Sequence, residues 1–327
     1  MKNDLPSYVV RPGDPCHTPP YACNKTQMYN FFLEGDRKTI QEKLVDPILN
    51  APTGGKTDYQ TFSDFVMVTY SIAAEGTSTE PPDSEMGYAP EYAWMVWIPV
   101  LAMGKNLLGK TVPKRLLMYP AMISVDETWS LTAGREVYGF PKNGGPLEIP
   151  LPGEEPEKFV ASSLAIKKFS PRECATYQPL MTITRTEKDS GLGTVWNDLK
   201  DGIHAITKFL EGGPHILPNL GLVEDLVSLA IHEEVPAVFL KQFRDARDGT
   251  RACYQAVVEA DCKVTAFNGG GLLDGTFEAV AAEFDSFPIA SCLGLDPKGV
   301  KCEFPFWVNL DFDTTPAKII WEAGKHG

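Results

Sequence analysis

The chain has 327 residues, 43% hydrophobic and 22% charged, which is the make-up of a packed globular protein and excludes wholesale disorder or collagen-like repeats. Its 43 acidic and 30 basic side chains leave a formal charge of −13, so no nucleic acid and no anionic membrane is expected as partner. No apolar run reaches the roughly 20 residues that span a bilayer, and the opening Met-Lys-Asn-Asp-Leu-Pro-Ser has no apolar signal core, so a soluble, cytoplasmic protein is expected.

Residues 1–27 are rich in proline and polar side chains and read as an irregular arm. Ile40, Leu44 and Val45 have helical spacing over 39–46, and Pro47 should stop or kink that helix. Residues 65–73, 93–103 and 115–122 are branched or aromatic runs that read as strands. Alternation from Ala93 puts Trp94 and Val96 on one strand face and Met95 and Trp97 on the other, so both tryptophans line one pocket only if a bulge intervenes. Ser124-Val-Asp-Glu127 fits a capping box and predicts a short helix over about 125–135, ended near Gly139 and Pro141.

Strand patterns follow at 147–151, 159–166 and 180–184, then a helical insert over about 187–236. Trp196, Leu199, Ile203, Ile206 and Leu210 line one helical face there, and 222–231 reads as a second short apolar helix. Strands resume at 238–243, 252–267, 276–284, 306–312 and 317–321. The Asn268-Gly-Gly-Gly271 run lacks the following helix that a phosphate loop needs and reads as a hairpin turn. No repeat or linker divides the chain, so a single α+β domain over 1–327 with a β-dominated core is expected.

Seven scattered cysteines without a Cys-x-x-Cys pair read as reduced thiols, and Cys174 or Cys292 would be nucleophiles only beside a histidine. Five histidines show no metal-ligand spacing; His232-Glu233-Glu234 opens like a zinc-protease motif, but Pro236 stands where the second histidine is needed. Neither a metal nor a cofactor is expected.

The stretch 128–145, TWSLTAGREVYGFPKNGG, carries the most chemistry. It puts Lys142 on a proline-stiffened bend after a helix, flanked by Tyr138 and Phe140. In apolar surroundings a lysine is poorly solvated as ammonium, its neutral amine becomes available, and a neutral amine attacks carbonyls; in solvent the same residue is an ordinary turn lysine. A rate rising with pH as the amine loses its proton is the expected signature of the first case.

Gly134-Arg-Glu-Val-Tyr-Gly-Phe-Pro-Lys142 resembles the signature of the acetoacetate decarboxylase superfamily. Gly87-Tyr88-Ala89-Pro90-Glu91 resembles the family's Tyr-x-Glu segment, and Val238-Phe-Leu-Lys241 with 254–266 resembles its C-terminal strands. The resemblance implies an α+β fold: a cone-shaped antiparallel β-barrel with peripheral helices around a closed apolar pocket, in a chain that tends to form homo-oligomers. It implies a lyase in which Lys142 forms a Schiff base with a small-molecule carbonyl substrate, a β-keto acid or 1,3-dicarbonyl, most simply a decarboxylase. Activation of such a lysine by desolvation or a neighbouring cation belongs to acetoacetate decarboxylase itself and comes with the resemblance.

Glu91 falls at the family's pocket carboxylate, as proton shuttle or substrate positioner, or else at the rim of a loop. Arg135 pairs with Glu91 or a substrate carboxylate, or neutralises helix C-terminal carbonyls. Tyr88, Phe140, Asn143 and Trp94 complete the candidate substrate contacts. Three positions depart from the family: Asn143 replaces a second lysine, Lys25, Thr26 and Gln27 stand near an expected arginine, and Thr69 or Ser71 replaces a glutamate. These favour a larger or less acidic, polyketide-like ketone over acetoacetate. The alternatives are a non-decarboxylating relative of secondary metabolism (an aldolase-dehydratase, cyclase or retro-aldol enzyme) and a non-catalytic ligand-binding barrel.

Overall fold

The computed structural model describes residues 6–13, 17–188, 194–212 and 234–324. Seven strands close a barrel: β1 (Tyr21–Glu34), β2 (Phe65–Ser78), β3 (Ala89–Lys105), β4 (Thr111–Val125), β5 (Glu234–Arg244), β6 (Ala252–Leu272) and β7 (Val300–Thr314). Each pairs with the next in chain order, and β7 returns to β1. Every junction is antiparallel except β4 to β5, where Ala237 lies opposite Met118 in parallel pairing. Parallel neighbours cannot be joined by a tight hairpin, and here the connection is the long stretch 126–233. The expected barrel is therefore present but mixed, with one parallel seam.

Strand alternation gives the wall two faces. Phe31, Val68, Tyr70, Trp94, Val96 and Ile98 point outward and are 0% exposed. An outer layer continues from β7 through strands Thr276–Ala281, Thr176–Glu187 and Lys158–Ala165. Its Phe159 and Phe277 meet the Phe31 ring at 5.2 and 5.3 Å. Each such buried side chain contributes on the order of 2 kcal/mol of transfer free energy. Inside the barrel, one end is filled by Phe32, Phe65 and Phe306. The helix Leu199–Gly212 plugs that end, with Phe209 at 5.2 Å from both Phe32 and Phe65. The described part of the insert is thus a barrel cap.

Several elements differ from the sequence reading. The supposed arm already contains β1 from Tyr21; its polar residues face a cavity rather than packed core, and a bulge at Lys25 (φ 52°) breaks the alternation. The first helix does not stop at Pro47 but continues through it in wide π-type turns over Gln41–Asn50, with the backbone bond of that one position missing. Ser124 belongs to β4 and gives its hydroxyl to Ser162 O at 2.9 Å, so it caps nothing. The Glu127 carboxylate caps instead, accepting from the N–H groups of Trp129 and Ser130, and helix Thr128–Ala133 passes into a wide turn, Gly134–Tyr138. Asn268-Gly-Gly-Gly271 lies within β6, where Val195 and Trp196 pair with Gly271 and Gly270. A Cβ at 271 would stand 2.4 Å from Thr194 O, so this run permits close strand approach rather than a turn. The expected helix over 222–231 lies outside the described residues. Among those described, no helix is long and apolar enough to cross a membrane.

Candidate active site

Between the plugged end and the opposite mouth, the barrel holds a cavity of about 310 Å³, at the lower end of the roughly 300–1,000 Å³ typical of small-molecule pockets. Met28, Met67, Met95, Trp97, Leu310 and Phe312 make much of its wall apolar. Lys142 reaches in from the mouth. Its backbone forms the short strand Lys142–Gly144, added in parallel to β4 with Ile123 opposite Lys142. Upstream, Gly139 (φ 83°) turns the chain and Phe140 packs on Phe239 at 4.4 Å and on Tyr138 at 5.6 Å. The Tyr138 hydroxyl donates to Thr315 O at 2.9 Å, which anchors the bend to the barrel end.

The Lys142 side chain is 12% exposed and runs across Gly134. A Cβ at 134 would lie 2.8 Å from Lys142 Cδ and 2.9 Å from Cε, so the glycine leaves the space that the lysine stem fills. Nζ ends 3.5 Å from Glu91 Oε2, against Ser130 Oγ, and 5.5 Å from the Phe140 ring centroid. Ser130 stands in the first turn of the helix that Glu127 caps, so the cap also sets the hydroxyl beside the amine.

Glu91 projects inward on β3 in step with Met95 and Trp97. Among the described residues lining the cavity, Lys142 is the only lysine or arginine, and Glu91 and Glu127 are the carboxylates. Lys25, beside the bulge, turns outward and pairs with Glu75 at 2.5 Å, its side chain 70% exposed. Two thiols also line the cavity. Burial pushes Cys23 up to about 12, the Glu91 carboxylate adding to this and Lys142 partly offsetting it; burial likewise pushes Cys262 up to about 11. Both are therefore poor nucleophiles. Next to Glu91, Asp126 accepts from Tyr92 N at 2.9 Å, and its carboxyl is raised by burial and further by Glu91.

Lys142, Glu91 and Phe140 are thus brought together at the cavity, and the other candidates are not. Arg135 is exposed and donates Nη1–H to Lys142 O at 2.9 Å, bracing the bend from outside. Asn143 turns its Nδ2 to Pro141 O at 3.3 Å. Tyr88 is 61% exposed ahead of the strand's inward run. Trp94 lies in the outer core with its Nε1 unpartnered, because alternation gives the cavity face to Met95 and Trp97. Cys174 is exposed, and Cys292 sits near Lys43 and Glu283. Ser130 and Asn30 were missed: no spacing rule relates a helix serine to a lysine twelve positions later, and Asn30 follows a bulge. Among the described residues no three His, Cys, Asp or Glu side chains gather as metal ligands.

The closed barrel thus holds a single amine against a carboxylate in a largely apolar chamber. Its architecture is the acetoacetate decarboxylase-like fold. A solved acetoacetate decarboxylase from Legionella pneumophila is similar over 99% of this chain and 94% of its own, at TM-score 0.59 and 11% identity. An acetoacetate decarboxylase-like enzyme from Sphingomonas wittichii is similar over 92% and 91%, at TM-score 0.51 and 14% identity. The enduracididine biosynthesis enzyme MppR, complexed with pyruvate, is similar over 92% and 90%, at TM-score 0.52 and 11% identity. No family model matches the chain, and no curated protein matches it in sequence.

Proposed function

We propose that this chain is a lyase that binds a β-dicarbonyl or β-hydroxy-carbonyl compound as a Schiff base on Lys142. The observation that carries the reading is the Lys142 amine, 12% exposed, 3.5 Å from Glu91 in the apolar cavity. The unprotonated amine attacks the carbonyl carbon, a C–N bond forms, and the carbonyl oxygen leaves as water. The resulting iminium accepts the electron pair of the bond that breaks. In a β-keto acid that bond releases CO2; in a β-hydroxy ketone Glu91 takes the hydroxyl proton and an aldehyde leaves. Either route gives an enamine that is protonated at carbon, in the second by the proton Glu91 took from the hydroxyl and in the first by a solvent proton relayed through Glu91, and water then frees the product and the lysine. Ser130 orients the amine and Phe140 walls it from solvent.

The cavity lining favours the second, non-decarboxylating route. A β-keto acid would bring its carboxylate beside Glu91, and no second lysine or arginine among the described lining residues is there to hold it. The same reading takes the chain as one cytoplasmic, homo-oligomeric domain that needs no cofactor, since the iminium is the electron sink. The test is turnover of β-keto acids and β-hydroxy ketones, with CO2 and aldehyde measured separately. Lys142→Ala should abolish either; turnover that survives this substitution overturns the reading, and no turnover with any carbonyl compound leaves a binding barrel.

A further inference from the structure

The far wall of the cavity carries polar side chains that the chemistry at Lys142 does not use. Thr26, Asn30, Thr69 and Ser71 are 1%, 3%, 1% and 5% exposed, and all four line the cavity. Thr69 donates its hydroxyl to Asn30 Oδ1 at 2.7 Å, which fixes the amide with Nδ2 left as donor. Thr26 Oγ1 is buried without a hydrogen-bond partner. Buried polar groups are seldom left unmatched, because the unmade bond costs roughly 1–3 kcal/mol.

Register fixes where these groups stand relative to the amine. Thr26 pairs with Ala73, which pairs with Glu91, so Thr26 lies at the level of the Glu91 carboxylate two strands away. Ser71 lies two residues deeper and the Thr69–Asn30 pair four residues deeper, about 7 and 13 Å along the strands at roughly 3.3 Å per residue. Met28 stands level with Ser71, and Met67 lies two residues deeper than Thr69, so apolar side chains flank these groups. The set contains no charge. With Glu91 and Glu127 as the lining carboxylates and a net charge of −13 on the chain, a second anionic group would be repelled.

We propose that Thr26, Ser71 and Asn30 form a row of neutral polar groups, spread over about 13 Å of the wall, that takes the uncharged oxygens, hydroxyl or carbonyl, along an extended and otherwise apolar ketone whose reacting carbon meets Lys142. The inference rests on the Schiff-base reading above. It makes the substrate a linear oxygenated ketone rather than a short keto acid, with chain polarity read by donors from β1 and β2.

The test is borohydride trapping on the intact protein with three linear eight-carbon methyl ketones, ending in a hydroxyl, a methyl or a carboxylate. The hydroxyl-ended ketone should reach half-labelling of the Lys142 peptide at a concentration about tenfold below either of the others. Thr26→Val and Ser71→Ala should bring the hydroxyl-to-methyl ratio toward one. Thr26→Val removes an unpartnered hydroxyl at constant shape, so its unfolding midpoint should hold or rise, which separates lost preference from lost fold. Labelling of Lys142 without that preference, or strongest labelling by the carboxylate-ended ketone, overturns the subsite while leaving the Schiff base intact. No labelling of Lys142 by any of the three overturns both.

Discussion

The Gly134→Ala substitution separates a lysine that reacts from one that merely packs. Gly134 sits at φ −62°, ψ −44°, ordinary right-handed helical backbone that alanine adopts readily. The new Cβ would stand 2.8 Å from Lys142 Cδ, 2.9 Å from Cε and 3.4 Å from Nζ. Carbon atoms pack at about 3.5–4.0 Å, so the lysine stem has to retreat by roughly 1 Å. The neighbour that yields is a flexible side chain, not backbone, so the fold should tolerate the change. Replacing glycine within a helical turn contributes about 0.5–1 kcal/mol of stability, which offsets the crowding. The amine, however, moves off Ser130 and Glu91, and a displacement of about 1 Å from attack geometry costs on the order of 100-fold in rate. The assay pairs thermal unfolding with the rate of borohydride-dependent labelling by a methyl ketone. The expected result is an unfolding midpoint equal to or above wild type with labelling slowed about 100-fold. A folded variant that labels at the wild-type rate would refute the placement of the amine against Gly134.

Glu91→Gln keeps the shape of the side chain but removes the proton carrier, and turnover should fall by about 100-fold or more while the Lys142 adduct still forms on long incubation; turnover within twofold of wild type contradicts the role. The raised Asp126 carboxyl binds protons in the native state above its ordinary value of 3.8, so its contribution to stability falls as pH rises through that window and stays unfavourable above it. Asp126→Asn retains an acceptor for Tyr92 N and should therefore stabilise the protein at neutral pH, with the gain shrinking toward pH 4 in denaturant titrations. Thiol alkylation of the native protein near pH 8 should modify exposed Cys174 and Cys253 long before Cys23 and Cys262, whose thiols burial holds near 12 and 11; equal rates by peptide mapping would mean that the cavity wall is open to reagent.

Much of the barrel was legible because its outward face is packed core. Residues 65–73 and 93–103 are runs of branched and aromatic side chains, and that composition announces a strand. The first strand was hidden for the converse reason. Its inward residues Thr26 and Asn30 face a cavity, and the bulge at Lys25 shifts their phase. Lys142 stood out through the stiff Phe140-Pro141 bend, but its partner Ser130 did not, because only the wide turn Gly134–Tyr138 folds that helix back over the amine. Local sequence favoured Ser124 as the cap; pairing of β4 with β3 and with Lys142–Gly144 kept that residue extended and passed the cap to Glu127. Trp94 is a case where alternation already held the answer, since the strand cannot turn both tryptophans inward.

The central claim is that one sheltered amine, on Lys142, forms the imine. Peptide mapping by tandem mass spectrometry, after borohydride reduction of the protein with a saturating methyl ketone, tests it most directly. The account predicts one reduced adduct per chain, carried by Lys142 and lost in Lys142→Ala. An adduct on another lysine, or an unmodified Lys142 in the folded protein, would contradict it.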